Sequence, residues 1–226
     1  FKIIKLLIMC GRFINTTKID QIKKNFDIQK SINTYEDIIS YNIAPSNIVN
    51  VVLKNKHLNI EKMSWGIKFL NKINQQFITV INSRLETIKD KILFKESFLN
   101  KRCLIPANGY FEWKNNNGNK IPYLFQIPTL ETFYFAGLWK YSDNINSIKK
   151  TFSILTKQAN NLVSTIHSRM PVILSIDEGI NYINQGEYLI KNKFTSYIEN
   201  DFDFYSISKI INNPRNNSKK YLEPLK

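Results

Sequence analysis

The stretch RCLIPANGYFEWK, residues 102–114, is the part of the chain that most directly predicts its fold. It opens with an apolar run that ends at Pro106, and aromatic residues follow Gly109, which is typical of strands. Six further runs rich in Ile, Val, Phe and Tyr lie between polar or Gly/Pro breaks: Asn50–Leu53, Phe77–Ile81, Tyr123–Ile127, Phe133–Leu138, Thr151–Thr156 and Pro171–Leu174. We therefore expect a β-rich core.

Helical periodicity is restricted to short segments, and it predicts helices at Thr17–Phe26, Phe94–Asn100 and Ile176–Asn184. The segment KNNNGNK, residues 114–120, predicts a hairpin turn, and Tyr141–Lys150 predicts a polar loop. From Ile211 onward we expect an irregular, mostly exposed extension. Because the chain has no internal repeat and no break in composition, we predict one α+β domain with a barrel-like, β-rich core and short peripheral helices.

The formal charge of +14 on 226 residues favours a polyanionic partner such as nucleic acid. An AT-rich genome, which also enriches Lys, Asn and Ile, is an alternative source of part of this excess. Two cysteines and two histidines provide neither a disulfide framework nor zinc-ligand spacing. No stretch approaches the roughly 20 apolar residues of a membrane span. We expect a cytoplasmic monomer with no metal and no cofactor.

The first ten residues, FKIIKLLIMC, predict neither a signal peptide nor a lipoprotein signal. We interpret residues 1–8 as a non-native leader or a misassigned start, with Met9 as the natural start of the domain 9–226. Because cysteine is small, removal of Met9 would leave Cys10 as the first residue, with a free α-amine beside its thiol.

A terminal cysteine has a distinctive reaction with aldehydes. Its amine, with a pKa of about 7.7–8.0, forms a Schiff base, and the thiolate then closes a five-membered thiazolidine. Arg12 is a cation that would lower the thiol pKa from its usual value of about 8.5. The alternative is that Cys10 follows a start codon by chance.

Three other segments contain residues suited to acid/base or anion chemistry. Glu112 lies between Phe111 and Trp113, and partial burial there would raise its pKa as a general acid/base requires. His167, followed closely by Arg169, could move protons next to a bound phosphate. Each has a purely structural alternative: Glu112 can point to solvent from a strand, and His167 can be a satisfied structural residue.

The segment INSR, residues 81–84, ends an apolar run with two further polar candidates. Asn82 offers both a donor and an acceptor to a sugar oxygen. Arg84, two residues later and on the same face of a strand, could make a forked contact to phosphate. Both could equally be ordinary loop residues.

Together and in this order, these segments resemble the SRAP (SOS response-associated peptidase) family. The matching motifs cover the chain from Met9 onward: MCGRF (9–13), YNIAPS (41–46), MSWGI (63–67), INSRLET (81–87), RCLIPANGYFEWK (102–114), FYFAGLW (133–139), FSILTKQAN (152–160), IHSRMPVIL (166–174) and SISKIINNPRNN (206–217).

The resemblance implies a protein that binds single-stranded DNA in a basic groove and crosslinks itself to abasic sites. It implies Cys10 as the nucleophile, Asn82 as the residue that holds the opened sugar, and Glu112 and His167 as the groups that move protons during ring opening and crosslink release. It implies phosphate contacts by Arg12, Arg84 and Arg169, and a groove lined by Pro45, Trp113 and Thr156.

One departure from the family pattern concerns DNA junctions. Where family members often have tryptophans shortly after the WG motif, this chain has Lys68–Asn71, with Phe69 as the only aromatic residue. Two other functions stay open: a cysteine peptidase that uses Cys10 and His167 and processes its own N-terminus, and a non-catalytic binder of single-stranded nucleic acid.

Overall fold

Fifteen strands and four short α-helices are present in the part of the chain that the computed structural model describes, residues 11–29, 36–71, 74–142, 150–185 and 195–225. The strands are β1 (Arg12–Asn15), β2 (Ser40–Ile43), β3 (Ile48–Lys54), β4 (Leu58–Trp65), β5 (Ile67–Asn71), β6 (Gln76–Val80), β7 (Asn82–Arg84), β8 (Arg102–Ala107), β9 (Gly109–Asn116), β10 (Asn119–Gln126), β11 (Phe133–Tyr141), β12 (Lys150–Gln158), β13 (Arg169–Pro171), β14 (Ile173–Leu174) and β15 (Asp203–Ser206). The helices are α1 (Ile19–Asn25), α2 (Ile92–Asn100), α3 (Asn161–Ser164) and α4 (Ile176–Asn184).

The strands form two large sheets and a separate hairpin of β5 and β6. The smaller sheet has the order β15-β10-β9-β1-β2, and the larger has β13-β12-β4-β3-β8-β11-β14 with β7 paired to β12. Because β11 also pairs with β12, the strands β12, β4, β3, β8 and β11 close into a ring. The predicted α+β fold with a barrel-like core is confirmed.

Both faces of the larger sheet are covered, which explains why its strands are apolar runs rather than alternating ones. In β3 the five residues from 49 to 53 are all buried. One face packs against the smaller sheet, where the ring of Phe13 meets those of Trp65 and Phe135 at centroid distances of 5.2 and 5.6 Å. The opposite face packs against the helices, through residues such as Ile22 of α1 and Tyr182 of α4.

Local sequence determines several of the element ends. Helix α4 begins where predicted because Ser175 and Glu178 form a capping box at its N-terminus. Asn117 and Gly118 both have positive φ, 49° and 86°, which is the requirement of a two-residue turn between antiparallel strands. The predicted hairpin at residues 114–120 is therefore confirmed, as the connection between β9 and β10.

The C-terminal tail is irregular and mostly exposed, as predicted, but it is also held against the rest of the protein. Although most of its side chains are exposed, Ile211 is fully buried, and short 3-10 turns form at Lys209–Asn212 and Lys219–Leu222. The side-chain amide of the buried Asn42 on β2 donates to the carbonyl oxygens of residues 211, 213 and 216 at 3.0–3.1 Å. The tail is therefore docked against the smaller sheet. Of the predicted polar loop Tyr141–Lys150, residues 143–149 lie outside the described residues.

Candidate active site

The first described residues connect the predicted nucleophile to the smaller sheet. Cys10 lies outside the described residues, as do Met9 and residues 1–8. Gly11 is buried, and β1 pairs antiparallel with β9 so that Arg12 stands opposite Phe111. Continued by one residue, this register sets Gly11 opposite Glu112. The residue that is covalently bonded to Cys10 therefore neighbours the predicted acid/base group.

Glu112 is almost completely buried, with 1% of its surface exposed. Its neighbours Tyr110 and Phe111 on β9 are buried as well, and Tyr123 of β10 stands opposite it. The alternative that Glu112 points to solvent is therefore wrong. With little water to screen it, this carboxylate interacts strongly with nearby charges and donors.

Asn82 begins β7, a short strand that runs parallel to β12 with Asn82 opposite Ile154. The preceding carbonyl, of Ile81, accepts hydrogen bonds from Trp65 Nε1 and from the Ile154 amide, both at 2.9 Å. Two hydrogen bonds therefore hold the backbone that leads into Asn82. Because side chains alternate along a strand, Arg84 shares the face of Asn82, while Ser83 between them is buried against Ser153. The Arg84 side chain is exposed.

His167 is half-buried in the turn between α3 and β13. Its own amide donates to the Val163 carbonyl at 2.9 Å, and its ring Nδ1 accepts from the Arg169 amide at 3.1 Å. Nδ1 also lies 3.3 Å from the Arg169 carbonyl oxygen, so the backbone of Arg169 engages this nitrogen whether it accepts or donates. Burial lowers the pKa of His167, and the positive charges of Arg169 and Lys120 lower it further.

The guanidinium of Arg169 is already engaged. Nη1 and Nη2 form a fork with the two carboxylate oxygens of Glu86 at 2.5 and 2.9 Å, and Nη2 also donates to the Thr156 carbonyl at 2.8 Å. Thr156 is fully buried, so it supports Arg169 and does not line an open surface in this structure. To bind a phosphate through Nη1 and Nη2, Arg169 would have to release Glu86.

Arg12 is held in a similar way by the docked tail. Nη1 donates to Asn42 Oδ1 at 3.0 Å and to the Ile211 carbonyl at 2.8 Å, and Nη2 donates to the Asn212 carbonyl at 2.8 Å. Its guanidinium carbon lies 5.9 Å from the ring centroid of Trp113, whose Nε1 donates to Asn212 Oδ1 at 2.7 Å. Burial lowers the pKa of Arg12. Arg12 and Trp113 thus anchor the tail beside the start of β1.

Pro45 lies in the turn that joins β2 to β3. The Asn47 amide donates to the Ala44 carbonyl at 3.0 Å, and Ser46 has a φ of 75°. Proline at the second position and positive φ at the third are typical of a type II turn. Pro45 therefore has a structural reason for its position in addition to the predicted contact with DNA.

The topology brings most of the predicted site residues onto adjacent strands. Neighbouring β7, β12 and β13 position Asn82, Arg84, Thr156 and Arg169, with His167 in the turn before β13. The paired strands β1 and β9 position Arg12, Glu112 and Trp113. Lys120, which follows the β9–β10 turn, adds a positive charge that acts on His167.

Sequence reasoning missed three residues that shape this site: Glu86, Asn42 and Lys120. The first two lie inside motifs that were recognised, INSRLET and YNIAPS, so their type and position were visible. Their partners lie far away in sequence, with Arg169 separated by 83 positions from Glu86 and Ile211 by 169 from Asn42. Nothing local to either motif indicates those contacts.

Cys103 is buried, and burial raises the pKa of its thiol. Across the described residues, no cluster of three or more His, Cys, Asp or Glu side chains is arranged to hold a metal ion. Within the same part of the chain, no helix is both long and apolar enough to cross a membrane.

Comparison with known proteins gives a consistent result. Residues 9–214 match the family model described as SOS response associated peptidase (SRAP). The chain is 35% identical over 222 residues to abasic site processing protein YoaM of Bacillus subtilis strain 168, an alignment that covers 95% of this chain and 98% of the relative. It is 33% identical, over 95% and 99% of the two chains, to abasic site processing protein YoqW of the same strain.

A solved structure of a protein from Bacteroides thetaiotaomicron has the same fold. It superposes with a TM-score of 0.78, covers 96% of this chain and all of its own, and is 21% identical in sequence. At this level of identity the likeness concerns the fold alone.

Proposed function

Because the chain belongs to the SRAP family, we propose that it captures abasic sites in single-stranded DNA as a covalent thiazolidine, with Cys10 as its first residue. Its relatives YoaM and YoqW are named as abasic site processing proteins. The observation that carries the proposal is the buried Glu112 on β9, which directly follows Phe111, the residue paired with Arg12 two positions after Cys10. Capture of this kind would protect the lesion during the response to DNA damage.

The reaction begins with the closed sugar, which must open before an amine can attack. A proton transfer by Glu112 and His167 opens the hemiacetal to the C1′ aldehyde. The Cys10 amine adds to C1′, and loss of one water gives the imine. The Cys10 sulfur then adds to the imine carbon while the nitrogen takes a proton, which closes the thiazolidine. Overall, one C–N and one C–S bond form, and one water leaves.

The site residues have distinct roles in this reaction. The backbone of Arg169 engages Nδ1 of His167, so Nε2 is the nitrogen that exchanges protons with the sugar. Asn82 holds the opened sugar from the start of β7. Cys103 does not compete as nucleophile, because it is buried and its thiol is held protonated by its raised pKa.

The DNA strand is held by charge rather than by reading of its bases, since the target base is absent. Arg84 is exposed on the face of Asn82 and is the leading candidate for a direct phosphate contact. Trp113 and Pro45 provide surfaces for neighbouring nucleotides. Arg12 contributes positive charge from a fixed position, and Arg169 contacts a phosphate by exchanging Glu86 for it. The net charge of +14 supports the same partner.

The experiment compares three proteins with Cys, Ser or Ala as first residue at position 10, each mixed with a single strand that contains one abasic site. We expect the cysteine protein to give a crosslink that survives denaturing electrophoresis without reduction. Cys10→Ser keeps the amine but cannot form the thiazolidine, so its imine should need borohydride to survive. Cys10→Ala should behave like the serine variant. Equal, unreduced crosslinks from all three would contradict the proposal.

The family is described as a peptidase, which suggests a second activity. In this activity the protein would remove its own first nine residues. Intact mass of protein produced with residues 1–9 present would reveal it. If the mass falls to that of a chain starting at Cys10, and Cys10→Ala or His167→Ala prevents the change, self-processing supplies the reactive terminus. If the mass never changes, another enzyme must expose Cys10.

A further inference from the structure

Glu86 lies where three parts of the candidate site meet. It belongs to the 3-10 turn Leu85–Thr87 that directly follows Arg84 of β7. One carboxylate oxygen accepts from the Gln158 amide at the end of β12 at 3.0 Å, and both oxygens accept from the guanidinium of Arg169 on β13. A single carboxylate therefore joins β7, β12 and β13 at their common end.

The same contacts reach His167 through one further hydrogen bond. The fork with Glu86, together with the bond to the Thr156 carbonyl, fixes the side chain of Arg169. The Arg169 backbone amide donates to Nδ1 of His167 at 3.1 Å. Next to it, the Ala159 amide donates to the Ser168 carbonyl at 3.0 Å, so the turn that carries the histidine is tied to the end of β12.

We propose that Glu86 is a positioning residue for His167: it holds Arg169 so that the Arg169 amide fixes Nδ1, and its charge offsets the guanidinium beside the imidazole. The proposal rests on the function proposed above, in which His167 moves the proton that opens the sugar. Glu86 itself need not touch the DNA.

The electrostatic part has a definite sign. Two positive charges, those of Arg169 on β13 and Lys120 on β10, disfavour the protonated imidazole of His167. Burial favours the neutral form of Glu86, but its hydrogen bonds to Arg169 and to backbone amides outweigh this, so the pKa of Glu86 is lowered and its carboxylate is ionised at neutral pH. Removing that negative charge leaves Arg169 uncompensated and makes His167 harder to protonate.

The test is a titration of the His167 ring by NMR in DNA-free protein, which is practical because His57 and His167 are the only two histidines. Glu86→Gln keeps the shape and removes the charge. The Glu86 carboxylate is separated from the imidazole by Arg169, and a unit charge at such a remove in a half-solvated setting changes the protonation constant by about 2- to 5-fold. We expect a decrease of that size. Glu86→Asp keeps the charge and should stay closer to wild type than the glutamine variant.

The matched control is Glu96→Gln, which breaks an ion pair of similar length, 2.6 Å to Lys101, on the exposed surface of α2. It should leave the titration of His167 unchanged. An unchanged or increased proton affinity of His167 in Glu86→Gln would overturn the proposal, and so would an equal decrease in the control. If Glu86→Gln does not fold, Glu86→Asp decides the question. A decrease in the proton affinity of His167 in Glu86→Asp as large as that calculated for complete loss of the charge would also overturn the proposal.

Crosslinking rates then separate this proposal from the proposed function. If Glu86 acts through His167, the double variant Glu86→Gln/His167→Gln should crosslink no more slowly than His167→Gln alone. Additive losses would overturn the positioning role. Absence of crosslinking in the wild-type protein would refute the proposed function, while the NMR result would still decide whether Glu86 controls the imidazole.

Discussion

Replacing Asn42 with alanine would remove the hydrogen bonds that dock the C-terminal tail on the smaller sheet. Asn42 is 1% exposed; the two N–H groups of its amide are shared among three tail carbonyls at 3.0–3.1 Å, and its oxygen accepts from Arg12 at 3.0 Å. Each net hydrogen bond contributes about 0.5–1.5 kcal/mol, and more where a charged group is left without its acceptor. Because the Ile211 carbonyl keeps its bond from Arg12 and the outer carbonyls can reach water, we expect a total loss of about 2–4 kcal/mol.

This loss can be measured as the free energy of unfolding from urea denaturation, and it corresponds to a decrease of about 5–15 °C in melting temperature for a chain of this size. Detachment of the tail should also accelerate tryptic cleavage after Arg215, Lys219 and Lys220 under native conditions. The matched control is Asn119→Ala, which removes one exposed bond from Lys209 at 2.6 Å and should cost less than about 0.5 kcal/mol. Equal effects of the two substitutions would refute the claim that Asn42 holds the tail.

Three further predictions concern charge, burial and pH. Arg84→Ala should weaken binding to single-stranded DNA and lower the slope of log K against log salt by about 0.7. Lys54→Ala, which loses a hydrogen bond to Asn184 of α4, should leave that slope unchanged. Equal slopes for both variants would exclude a phosphate contact by Arg84. Cys103 should resist iodoacetamide in the native protein at pH 8 and react only after denaturation, because it is buried with a raised thiol pKa; native labelling followed by peptide mass spectrometry checks this. The pKa of His167 is lowered below its ordinary value of 6.5, so the unfolded state binds more protons at this residue than the folded state does. The free energy of unfolding should therefore fall as pH decreases through and below 6.5. Denaturation curves of His167→Gln should show a weaker dependence of stability on pH, and an unchanged dependence would show that His167 is not its source.

The strands and helices that could be predicted from the sequence are those with continuous apolar runs or capping residues. All seven apolar runs fall on strands, and α4 begins and ends where its periodicity and capping box indicate. Strands such as β4 (Leu58–Trp65) and β15 (Asp203–Ser206) were missed because polar residues interrupt them. Their assignment depends on pairing with distant strands.

The site could be predicted in its residue types but not in its internal contacts. Motif recognition pointed to Asn82, Glu112 and His167; the topology places Asn82 and His167 with β7, β12 and β13 of the larger sheet, and Glu112 on β9 of the smaller one. The motifs could not indicate that Arg12 and Arg169 would already be occupied by the tail and by Glu86. They also could not indicate that Thr156 would be buried. Such contacts depend on side-chain orientation across sheets, which a one-dimensional pattern does not contain.

The central claim, that a free amine and thiol on Cys10 close a ring on the abasic sugar, is tested most directly by intact-mass measurement. Protein whose first residue is Cys10 should gain the mass of one abasic strand minus one water, and the adduct should persist without a reducing agent. The same protein with Met9 retained should gain nothing, because its cysteine nitrogen is acylated. An unreduced adduct of equal yield in the Met9 protein, or none in the Cys10 protein, would contradict the account.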